Sequence, residues 1–161
     1  MLSLKALKAS LKEFSTLNSI CSKLGSNSPL DVALSWVQSQ CLPVINCDIC
    51  SATLNLSEVS NFSFAFNCTF IKLLNSTDVN NINFCQYYCG FLKFQLIYEY
   101  HRLNFLAKLI KDCQLSSTFT VDACDWSEFI QLSAKFKVLL SDSKYCVKRK
   151  MWTFFKSEIL K

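Results

Sequence analysis

Leu4, Leu7, Leu11, Phe14, Leu17, Cys21 and Leu24 recur at spacings of three and four, the period of one face of an amphipathic α-helix. Gly25 is a natural stop for that helix. Ser28-Pro29-Leu30-Asp31 then offers an N-cap serine, a proline at the first helical position and an acid at the third. A short helix to about Gln40 is predicted, with Leu30, Leu34 and Val37 on its inner face and Pro43 ending it.

The middle of the chain changes period. Phe62, Phe64, Phe66, Cys68 and Phe70 alternate with smaller or polar residues, and a period of two argues for a half-buried strand. A strand needs partners for its backbone groups. Val44–Ile49 and Ala52–Leu56 are the nearest candidates, so a small antiparallel meander is expected in residues 44–72. A helix through 60–74 is the alternative.

From Ile82 to Cys113 the period is helical again and apolar on more than one side, as in a central, buried helix. Unbroken it would run about 48 Å at 1.5 Å per residue, which is long for a small domain. A bend or division is expected at Gly90 or at His101-Arg102. Phe84, Phe91, Phe94, Phe105 and Leu109 are expected to be almost fully buried. Asp122 is the candidate N-cap of a helix carrying Trp126, Phe129, Ile130, Phe136, Leu139 and Leu140. Ser141-Asp142-Ser143 breaks it, and a last helix carries Tyr145, Trp152, Phe155 and Ile159. The expected fold is mostly α: a single compact helical domain over residues 1–161, with about five helices and a basic helical segment at 135–161.

Composition narrows the classes. The chain has 161 residues, of which 51% are hydrophobic and 18% charged, with 14 Phe and 10 Cys. This excludes disorder and linker-like chains. Two glycines, Gly25 and Gly90, exclude both the Rossmann fingerprint and the Walker loop, which need clustered glycines. The longest stretch without a charge, Val32 to Cys47, has 16 residues. A membrane-spanning helix needs about 20. Lys5, Lys8 and Lys12 interrupt the N-terminal segment, so a cleaved signal peptide is not expected. An intracellular place, cytoplasmic or nuclear, follows as the expectation, with reduced cysteines acting as small buried hydrophobes. Four glycosylation sequons, at Asn55, Asn61, Asn67 and Asn75, point instead to a secreted disulfide-rich glycoprotein. The skew toward Phe, Ser, Asn, Lys and Leu matches AT-rich codons, as in small accessory proteins of some viruses.

Three constellations bear on chemistry. His101 is the one histidine, set between Tyr100 and Arg102 with no acid or nucleophile paired to it by spacing. A non-enzymatic protein is therefore expected. Cys47-Asp-Ile-Cys50 and Cys85-Gln-Tyr-Tyr-Cys89 have gaps suited to zinc. They lie 34 residues apart, more than the usual 12–20 or so. No cofactor is the first expectation; a zinc-stabilised regulator using Cys47, Cys50, Cys85 and Cys89 is the alternative, the second pair at the start of a helix. Charge says most. Residues 1–134 hold nine Lys/Arg against ten Asp/Glu, and residues 135–161 hold eight against two. The whole excess belongs to the C-terminal segment. Lys144, Lys148, Arg149, Lys150 and Lys156 interleave with aromatics, as phosphate-contacting and base-stacking surfaces do. The reading is an interaction or accessory protein, acting through a protein-binding surface or a basic face for RNA or DNA. Lys137, Lys144 and Lys148 are expected on a different face from Trp152, Phe155 and Ile159, with Lys148, Arg149, Lys150 and Lys156 left in solvent.

Overall fold

The computed structural model describes residues 29–43, 54–115 and 121–160. They are mostly helical, and no strand occurs among them. In order they form α1 (Leu30–Trp36), continued by a π-helical turn at Val37–Cys41, then α2 (Leu56–Leu74), α3 (Val79–Tyr88), α4 (Phe94–Leu115), α5 (Ala123–Phe136) and α6 (Lys144–Ile159). The chain divides into two compact units, Met1–Gln95 and Leu96–Lys161. The helix expected over residues 2–24 and the segment 44–53 lie outside the described residues.

In the first unit the expected strand is the middle of α2. Asn55 decides this locally. Its Oδ1 accepts from the Glu58 backbone N–H at 2.9 Å and from the Ser57 hydroxyl at 2.7 Å, while Glu58 Oε2 accepts from the Asn55 N–H at 2.8 Å. This reciprocal capping box satisfies donors that a helix start otherwise leaves open. Phe62, Phe66 and Phe70, at i, i+4 and i+8, become one buried face, and Phe64 turns outward, 69% exposed. A phenylalanine at every second position fits both periods; the cap and the burial favour the helix. The meander in 44–72 is therefore not formed at its Phe-rich part.

The α2 face meets Phe94, whose ring stacks on Phe62 at 5.3 Å, and Phe91, edge-on to Phe70 at 5.3 Å. Between α2 and α3, buried Gln86 donates from Nε2 to Asn67 Oδ1 at 3.0 Å. With Thr69 also buried, the Asn67 sequon is part of the packing. The division expected at Gly90 or His101-Arg102 falls at Gly90. Its φ of +80° lets the Phe91 N–H bond the Gln86 carbonyl at 2.8 Å and the Gly90 N–H bond that of Tyr87 at 3.1 Å, a Schellman close. Helix α4 runs unbroken through His101-Arg102.

Several burial expectations are corrected. Phe91 and Phe94 are buried, but Phe84 is 38% exposed, because the inner face of α3 is set by Ile82 and Gln86, four apart. Phe105 and Leu109 are half-buried. Helix α1 takes Pro29, not Ser28, as its N-cap, without a side-chain bond.

The second unit is built on α4, α5 and α6. Leu106 and Ile110 pack with Phe129, ringed by Phe105, Leu132 and Leu140. Arg102, 3% exposed, reaches Glu128 Oε2 through Nε at 3.0 Å and through a terminal nitrogen at 2.8 Å, and Asp125 Oδ1 at 2.6 Å. A buried guanidinium needs such partners. Lys135 Nζ holds both oxygens of Glu99 at 2.7 Å. Helix α5 closes on Lys137 in the left-handed region, φ 54°. The Ser143 hydroxyl caps α6 by accepting from the Cys146 N–H at 3.3 Å. Val147, Met151 and Phe155, at i, i+4 and i+8, form its buried stripe.

Candidate functional site

The five cations expected to act together do not share one face. Lys144, Lys148, Trp152 and Lys156 form one i+4 row along α6, and Tyr145 and Arg149 form the adjoining row. Lys144, Lys148, Arg149 and Lys156 are exposed, Tyr145 is 76% exposed, and Trp152 is half-buried against Phe155 at 6.1 Å. Trp152 thus borders the cations, contrary to the expected separation: its position is one step round the helix from the Val147–Met151–Phe155 stripe. Phe155 is buried as expected and Ile159 half-buried. None of these four cations has a carboxylate partner within ion-pair distance among the described residues.

Lys150 stands apart. It projects from another flank of α6 and donates to Asp142 Oδ2 at 2.6 Å and to the Lys137 carbonyl at 2.7 Å. Asp142 also accepts from the Leu139 N–H at 2.8 Å. That backbone bond, with the Lys150 ammonium, holds the Asp142 carboxyl below its ordinary 3.8. Lys150 is therefore half-buried and fixes the α5–α6 connection, where solvent exposure was expected.

His101 lies half-buried, edge-on to Tyr100 at 5.1 Å. Burial, then the ammonium groups of Lys144 and Lys148, push its imidazole below the ordinary 6.5. Its surroundings are those of a neutral ring between a helix and a cationic row. This row gains field from charges left unneutralised on one face.

The zinc constellation separates in another way. Cys47 and Cys50 lie outside the described residues. Cys85 is in the last turn of α3 and Cys89 is its C-cap, so the second pair ends a helix where it was expected to start one. The helix dipole there opposes a thiolate, and burial, then Cys85, push the Cys89 thiol up. Among the described residues no three His, Cys, Asp or Glu side chains gather as a metal site. No described helix is long and apolar enough to cross a membrane.

Sequence reasoning missed the second lining of α6. Lys150, Thr153, Phe154 and Ser157 face Lys135, Phe136 and Lys137 across an open groove of about 350 Å³. The signal was present as the i, i+3, i+4, i+7 spacing of the α6 residues, but their α5 partners could not be paired with them by spacing. Comparison with known proteins finds no match for this chain among family models, curated proteins or solved structures.

Proposed function

We propose that this chain is a non-enzymatic binding protein that engages single-stranded nucleic acid through the outer face of α6. Lys144, Lys148, Arg149 and Lys156 meet phosphates, and Tyr145 with the open edge of Trp152 takes bases. The observation that supports this is the row itself: four exposed cations without carboxylate partners among the described residues alternate with two aromatic rings on one helix face. Free cations release counterions when phosphates replace them, which supplies most of the affinity for a strand. Aromatic rings add about 1–3 kcal/mol per stacked base without demanding a sequence. One arginine in the row, Arg149, gives little bidentate base reading, so sequence preference is weak.

The test is anisotropy of a labelled single-stranded oligonucleotide with the full chain. A Lys148→Glu/Arg149→Glu variant abolishes binding while the melting temperature stays at the wild-type value, since both residues are exposed and make no ion pair among the described residues. Lys150 is left out of the set, because reversing it breaks the Asp142 contact. Full binding by the double variant places the site elsewhere. No binding by the wild-type chain at low salt ends the reading.

A further inference from the structure

The groove on the other flank of α6 is chemically unlike the cationic row. Its floor is apolar: Phe136 and Phe154 meet edge-to-face with centroids 5.2 Å apart. Lys135, Lys137 and Lys150 line the groove, and no Asp or Glu does so among the described residues. Lys135 Nζ stands 5.0 Å from the Phe136 centroid and 5.6 Å from that of Phe154 while bound to Glu99. Lys150 is held by Asp142. The Lys137 side chain has no carboxylate partner among the described residues, and its left-handed backbone is pinned by the Val138 N–H to Ser133 carbonyl bond at 2.9 Å. The Thr153 and Ser157 hydroxyls donate to carbonyls of their own helix at 3.0 and 2.7 Å.

These features select among ligands. Phe136 is buried, Phe154 is half-buried and Lys135 sits over both rings, so the floor offers a small apolar patch rather than a full ring face. A volume near 350 Å³ is at the small end of ligand clefts, about 300–1,000 Å³. It takes one large side chain, not the surface of a folded domain. The free charge at the rim is positive, so the matching group is an anion beside an apolar side chain.

We propose that this groove docks an acidic peptide segment, with an apolar or aromatic side chain on the Phe136–Phe154 floor and an adjacent carboxylate paired with Lys137. The site lies wholly within the second unit and uses none of the four exposed cations of the outer face. It is independent of the nucleic-acid reading.

The test uses the full chain and a labelled six-residue peptide with one Phe between glutamates, followed by anisotropy and by amide shifts of labelled protein. The peptide binds, and its shifts fall on residues 135–137 and 150–157. Lys137→Glu weakens binding by roughly tenfold, the size of about 1.4 kcal/mol, and Ser157→Trp, which fills the groove from an exposed helix position, weakens it at least as much. Replacing the peptide Phe by Ser abolishes binding. The shift map reads the site without any substitution, so a poorly folding variant does not blunt the test. The proposal is overturned if the wild-type chain leaves the peptide unbound at millimolar concentration, or if shifts gather on Tyr145 and Arg149. Equal binding by both variants overturns it too. Displacement of the peptide by the oligonucleotide assigns the groove to nucleic acid and also overturns it.

Discussion

Phe94→Ala separates the packing of the first unit from the mere abundance of phenylalanine. Phe94 is 1% exposed, stacks on Phe62 at 5.3 Å and lies 6.3 Å from Phe66. Truncating a buried Phe costs about 3–5 kcal/mol through lost transfer energy and the cavity left behind. Two aromatic partners, each worth about 0.5–1.5 kcal/mol beyond burial, place it in the upper part of that range. For a unit of this size each kcal/mol moves the melting temperature by about 4–8 °C, so a fall of at least ~12 °C is expected. Phe84→Ala is the control: its ring is 38% exposed, and its loss should cost about 1 kcal/mol. Urea unfolding followed by circular dichroism at the helical minimum reads both. The reasoning fails if Phe94→Ala costs less than about 1 kcal/mol, or if the two variants are equally unstable.

The remaining predictions concern the second unit. Chain and proton NMR are well matched at His101, whose ring gives the one histidine Cε1 resonance: its midpoint lies below 6.5, Lys148→Glu raises it, and a wild-type midpoint at or above 6.5 contradicts the geometry. Because the native ring binds fewer protons than the unfolded one, stability falls as pH drops through 6.5 toward the native value, and His101→Gln flattens that slope. Lys137→Gly relieves the left-handed φ of 54° and should raise stability by about 0.5–1 kcal/mol; a lower urea midpoint would count against it. Arg102→Ala removes a buried cation from Asp125 and Glu128, which are 29% and 27% exposed, and should cost about 2–3 kcal/mol, less than a fully buried pair because water reaches the carboxylates.

Periodicity carried the helices whose apolar faces were set by three- and four-residue spacing. The extent of helix α6 was legible, but of its buried stripe at Val147, Met151 and Phe155 only Phe155 is read from the sequence, and Ser143 reads as a break rather than as the cap. Of the two places offered for the division, Gly90 is the one where a positive φ selects glycine. Helix α2 was not legible, since Phe62, Phe66 and Phe70 satisfy a period of two and a period of four at once. The Asn55–Glu58 capping box was the deciding local signal, readable four residues before the first phenylalanine of the run. Phe84 misled because a helix apolar on several sides does not say which side meets a neighbour. The cations that the charge distribution singled out do lie on one helix, α6. The fate of Lys150 depended on Asp142 and on a carbonyl thirteen residues earlier, and such pairing is settled by tertiary geometry rather than by spacing.

The cationic row of α6 is tested most directly by the salt dependence of oligonucleotide binding. If Lys144, Lys148, Arg149 and Lys156 each replace a counterion on a single strand, log affinity falls linearly with log salt with a slope of about −3, at roughly 0.7 per contact. The Lys148→Glu/Arg149→Glu variant then shows no binding at the lowest salt. Lys156→Gln alone lowers the slope by about 0.7. A wild-type slope near zero, or a slope unchanged by Lys156→Gln, contradicts the assignment of this face.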